Sequence, residues 1–127
     1  MGHHLKGKYK MEKLLGLVQG RHELPVEAYI FESAIADVHD YKVMREVIAS
    51  KLGELSFTKE NGFHKAVVYV TGLTPVTVEV IKFCLTNFIP LDLMNYDRES
   101  DSYVRQPVVV ESQFSGLAYD YGMDGLY

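Results

Sequence analysis

Of 127 residues only one is cysteine and none is tryptophan. A single thiol excludes an internal disulfide framework and a zinc site built on paired cysteines. Cys84 falls on the apolar side of a helical pattern, where a buried, inert thiol is the ordinary outcome. No apolar run approaches the ~18 residues that a membrane span needs. The opening carries no signal-peptide pattern, so a cytoplasmic location is expected. Base is also scarce: 13 Lys and Arg stand against 17 Asp and Glu, a net charge of −4. That balance argues against binding extended nucleic acid, which needs a surplus of base on one face. It leaves room for a small anionic ligand held by a few local donors. No internal repeat occurs.

What is present fits one globular domain, residues 1–110, with 47% hydrophobic and 24% charged residues in the chain. Residues 1–12 open with His3, His4 and several lysines and read as a tag or a basic arm. Residues 14–18 are apolar and bounded by Gly20, which predicts a strand; residues 26–31 alternate as a second. Asp37 is placed to cap a helix, with Asp40 in its first turn and Met44, Val47, Ile48, Leu52 and Leu55 at helical spacing. A turn around Asn61 and Gly62 precedes a nearly continuous apolar run at 65–70, which predicts a central strand buried on both faces. Thr74 is placed to cap a second helix with Pro75 as its first residue. Its pattern buries Val76, Val80, Ile81, Cys84, Leu85 and Phe88 and leaves Thr77, Glu79, Lys82 and Thr86 toward solvent. A strand at 89–96, a turn at 98–102 and a strand at 103–110 complete the series. Pro107 confines that last strand to an edge.

The pattern predicts an α/β fold: a small Rossmann-like sheet with a central βαβ unit and an antiparallel edge strand. Residues 111–127 differ in kind, with three glycines, three tyrosines and three acids but no base. They suit either a flexible terminus or an arm anchored by its aromatics on a second subunit, most simply in a homodimer.

Three constellations could carry chemistry. At the strand-to-helix turn, Gly72 can adopt a positive φ and admit a ligand to the backbone. Thr71 and Thr74 can donate to phosphate oxygens at a helix N-terminus. The same residues also suit a purely structural turn, and no full dinucleotide or P-loop glycine pattern is present. After the first strand, Arg21 could hold an anion while His22, with Glu23, supplies a general acid or base near neutral pH. After the fourth predicted strand, Asn95, Tyr96 and Arg98 could contact a base or its phosphate. The acidic trio Asp97, Glu99 and Asp101 has spacing too loose to specify a cation, and His39 and His64 lack partners at metal spacing, so no metal and no cofactor is expected.

The stretch from 65 to 98, with TGLT between strand and helix and NYDRE after the next strand, resembles the ligand-binding core of CRISPR-associated Rossmann-fold (CARF) and ring-nuclease proteins. Those proteins bind cyclic oligoadenylate signals across a dimer at a comparable turn. The resemblance implies that Thr71, Gly72, Thr74, Asn95 and Tyr96 contact such a ligand. It also implies a stand-alone binder or degrader of the signal, as phage-encoded nucleotide sponges and ring nucleases are. The expectation is therefore a protein that binds a nucleotide-type anionic ligand at the carboxyl edge of its sheet. A non-enzymatic assembly protein and a ring-nuclease-type phosphodiesterase are the alternatives.

Overall fold

The computed structural model describes residues 12–20, 23–54 and 65–110. The arm at 1–11, Arg21, His22, Leu55, the turn around Asn61, His64 and the tail at 111–127 lie outside the described residues. The elements run β1 (Glu12–Val18), β2 (Ala28–Phe31), α1 (Tyr41–Glu54), β3 (Lys65–Tyr69), α2 (Thr74–Thr86), β4 (Leu91–Asp97) and β5 (Ser102–Val109). They build a five-stranded sheet of order β2-β1-β3-β4-β5. The first four strands are parallel, and β5 returns antiparallel to β4 at the edge. This is a small α/β, Rossmann-like architecture. Glu12 and Lys13 belong to β1 rather than to a preceding arm.

Both helices pack on one face of the sheet. Met44, Ile48 and Leu52 of α1 and Val76, Val80 and Cys84 of α2 join Leu15, Leu17, Ala66, Val68, Leu91 and Leu93 in one buried cluster. The i, i+4, i+8 spacing in each helix produces that single apolar stripe, and each fully buried aliphatic side chain contributes about 1.5–3 kcal/mol. On the opposite face Val67 and Tyr69 are also buried, which is why residues 65–69 read as continuously apolar. None of the described helices is long and apolar enough to cross a membrane.

Three local expectations shift. Asp40, not Asp37, caps α1: its Oδ1 accepts the Val43 N–H at 3.3 Å, while Asp37 Oδ1 accepts the His39 N–H at 2.9 Å in the preceding turn. At α2 the N-cap is Leu73, in extended conformation, and Thr74 is already helical. In α2, Glu79 is buried and Leu85 is exposed. Glu79 lies on the flank that meets Arg45 of α1, whereas Leu85 does not share the cluster's stripe.

The ladder between β4 and β5 contains an irregularity at Leu91/Asp92, beside the pairing of Asp92 with Pro107. Proline on this edge strand is compatible with the sheet because one side of β5 has no strand neighbour.

Candidate functional site at the carboxyl edge of the sheet

The parallel pairing of β1 with β3 matches Leu15 to Val68 and Gly16 to Tyr69. Their following segments, 19–20 with Glu23 and then Thr71–Thr74, therefore leave the same edge side by side. From that edge the chain diverges. β1 leads to β2 on one side, and β3 leads through α2 to β4 on the other. The Leu24 N–H donates to the Tyr29 hydroxyl at 3.3 Å, and Tyr29 lies over Gly16, so the connector from β1 runs along the face opposite the helices. Adjacent parallel strands whose connections part in this way define a topological switch point, the place where open α/β sheets form their ligand crevice.

At this point Gly72 has φ +92°, a left-handed conformation that glycine adopts without penalty. Apart from its chain neighbours, no atom of the described residues lies within 4 Å of where a Cβ would stand. Thr71, Gly72 and Thr74 are exposed. The start of α2 receives no side-chain cap; the Thr77 N–H and hydroxyl both turn back to the Leu73 carbonyl at 3.1 Å. Pro75 has no N–H, so the N–H groups of Thr74 and Val76 are the first-turn donors, at the positive end of the helix dipole. Backbone donors and two hydroxyls with open space beside them suit an oxyanion.

The other expected residues fare differently. Glu23 is exposed on the connector after β1, beside Arg21 and His22, which lie outside the described residues. Met94 pairs with Tyr69, which places Asn95 and Tyr96 past the same edge. Being consecutive in a strand, however, they point to opposite faces. Asn95 donates to Gln106 Oε1 at 2.7 Å. Tyr96 donates its hydroxyl to Asp101 and packs edge-on to Tyr103 at 5.6 Å, and this hydrogen bond pushes the phenol pKa up. Asp97 accepts the Ser100 hydroxyl at 2.7 Å and N–H at 3.2 Å, contacts that hold its carboxyl below the usual range. These residues build the β4–β5 hairpin. Arg98 is exposed in its turn, free to meet a ligand that reaches it. Asp97 and Asp101 are occupied within the hairpin, and among the described residues no group of three His, Cys, Asp or Glu is arranged to hold a metal ion. The Cys84 thiol is buried, which pushes its pKa up to about 12 and leaves it an inert core group.

One charged cluster is absent from the expectations above. Asp92 on β4 is 1% exposed. Its Oδ2 accepts from Lys65 Nζ and Arg105 Nη1, both at 3.0 Å, and the same Arg105 nitrogen reaches Glu12 Oε2 at 2.9 Å. Asp92 Oδ1 is buried and has no hydrogen-bond partner among the described residues. The signal in the sequence is an acid inside the apolar stretch at 89–94, which marks a paired interior charge. Comparison with known proteins adds no relative: no family model, curated protein or solved structure matches this chain.

Proposed function

We propose that this protein binds a nucleotide-type anionic ligand at the carboxyl edge of its sheet, with Thr71, Gly72 and Thr74 as the phosphate-facing turn. The observation that carries the reading is the switch point between β1 and β3, where an exposed glycine at φ +92° leads into a helix start without a side-chain cap. Arg21, His22 and Glu23 follow the neighbouring strand in the sequence and are the candidates for further ligand contacts in this reading; of the three only Glu23, which is exposed, lies within the described residues. Arg98 is the nearest basic candidate on the hairpin side, whereas Asn95 and Tyr96 serve the hairpin first. In this reading the chain is a cytoplasmic homodimer that holds a cyclic oligonucleotide or related signal of antiviral defence, in keeping with the resemblance of residues 65–98 to that group of receptors.

Calorimetric titration with cyclic and linear oligoadenylates tests the reading. Binding is expected for the native chain and is expected to disappear in Gly72→Val, because a β-branched side chain disfavours a positive φ and occupies the backbone approach. Titrations without heat for every nucleotide, or equal binding by a folded Gly72→Val variant, would overturn it. Ligand recovered intact after heat denaturation identifies sequestration; a cleaved product that is lost in His22→Ala identifies a phosphodiesterase.

A further inference from the structure

A second polar constellation, which shares no residue with the sheet-edge site, lies in a cleft of about 410 Å³ between α1 and α2. Its centre is Glu79, whose side chain is only 6% exposed although it belongs to a surface helix. Both carboxylate oxygens are engaged: Oε1 accepts from Arg45 Nε at 2.9 Å, and Oε2 from Lys82 Nζ at 3.4 Å. Arg45 and Lys82 themselves are about half exposed. Two cations against one committed carboxylate leave this cleft with an excess positive charge.

The manner of the Arg45 contact is the informative part. A guanidinium that serves only to clamp a carboxylate gains most from two parallel N–H···O bonds. Here the contact is a single bond from Nε, and among the described residues no hydrogen bond from its two Nη nitrogens occurs. They leave a donor edge of the kind that matches carboxylate and phosphate oxygens. Ala49, Phe83 and Thr86 line the same cleft. Its volume lies within the range of small-molecule sites, roughly 300–1,000 Å³, and apolar walls with a few convergent polar groups are their usual construction.

We propose that this cleft is a binding site for a small molecule that carries an oxyanion, a carboxylate or a phosphate monoester, on a short apolar body. Arg45 would grip the oxyanion through its Nη edge, Lys82 would add charge, and Phe83 with Ala49 would cover the body. Glu79 is a positioning residue that holds Arg45 in orientation. The proposal does not depend on the sheet-edge reading, since the two sites share no residue.

Nuclear magnetic resonance titration of the whole chain with phenyl phosphate, and separately with benzoate, tests it and names the head group. Saturable shifts are expected at the Ala49 and Phe83 amides and at the Arg45 Nε–H signal, with a Kd of about 1 mM or tighter for at least one probe. Arg45→Lys keeps the charge and a partner for Glu79 but loses the fork, and is expected to weaken binding about tenfold. Lys82→Gln, which leaves the Arg45–Glu79 pair in place, is expected to weaken it by a smaller factor, about threefold. Gly72→Val is expected to bind both probes as the native chain does. The absence of saturable shifts at Ala49 and Phe83 with both probes would overturn the proposal. Undiminished binding by Arg45→Lys, or loss of binding in a folded Gly72→Val, would do so equally.

Discussion

At the amino edge of the sheet Asp92 is buried between Lys65 and Arg105, and Arg105 reaches on to Glu12, so two acids and two bases close on one another. At the carboxyl edge Thr71, Gly72 and Thr74 stand exposed, and among the described residues no side chain caps the helix they introduce. The same parallel strands produce both ends, because the starts of β1 to β4 lie at one edge and their ends at the other. A self-neutralised cluster ties β1, β3, β4 and β5 together and has little left to offer a ligand. An edge with unspent donors contributes less to stability, and in the proposed reading its donors serve the ligand. Substitutions at the two ends should therefore separate: stability falls at the amino edge, binding at the carboxyl edge.

The largest stability effect is expected for Asp92→Ala. It deletes charge-assisted hydrogen bonds to two cations, each worth about 1.5–3 kcal/mol when buried. Lys65 and Arg105 recover part of this in water, since both are partly exposed. A net loss of about 2–3 kcal/mol in urea unfolding is the expected outcome, and a loss below about 0.5 kcal/mol would break the comparison. Next comes Gly16→Ala, in which the new Cβ overlaps the Tyr29 ring. The ring is held by its hydroxyl contact with Leu24, so an overpacking cost of about 1–3 kcal/mol is expected on thermal or urea denaturation.

Acid sharpens the same contrast through a third region. The Glu79 carboxyl is held below its ordinary value of 4.5, first by the hydrogen bond from Arg45 and further by Lys82. Its folded pKa lies below its unfolded one, so the stabilisation is complete above about pH 4.5 and fades as pH falls through the folded value. The native chain should therefore lose stability on acidification more steeply than Glu79→Gln does, measured by urea midpoints at about pH 6 and about pH 3. Parallel acid profiles for the two proteins would show that the pair between the helices contributes nothing. The smallest effect is reserved for Thr74→Ala. Since Leu73 occupies the N-cap, this change should alter stability by less than about 0.5 kcal/mol while weakening nucleotide binding.

Much of the architecture was legible because periodicity and burial coincide. The apolar run at 65–69 became the strand with neighbours on both sides, and Pro107 fell on the edge strand. The placing of β1 beside β3 was open in the sequence, since two consecutive parallel strands joined without a described helix leave no periodic signature. The cap moved by one residue because the turn is made at Gly72, which brings Leu73 into the extended conformation that a cap requires. Hydropathy alone sends Glu79 outward. Its burial depends on Arg45, 34 positions earlier, and no local window contains both. The division of Asn95 from Tyr96 was legible in principle, because neighbours in a strand face opposite ways.

Pro107 has a consequence for crowding. β5 runs along the rim of the sheet for eight residues, long enough to template a foreign strand. Pro107 supplies no N–H to either side, and the irregularity beside it disturbs the spacing of the remaining donors and acceptors. The stretch of β5 before the proline, residues 102–106, is only five residues long. Proline is one of the devices by which edge strands discourage pairing with another chain, so β5 is a poorer template beyond residue 106 than its length alone implies.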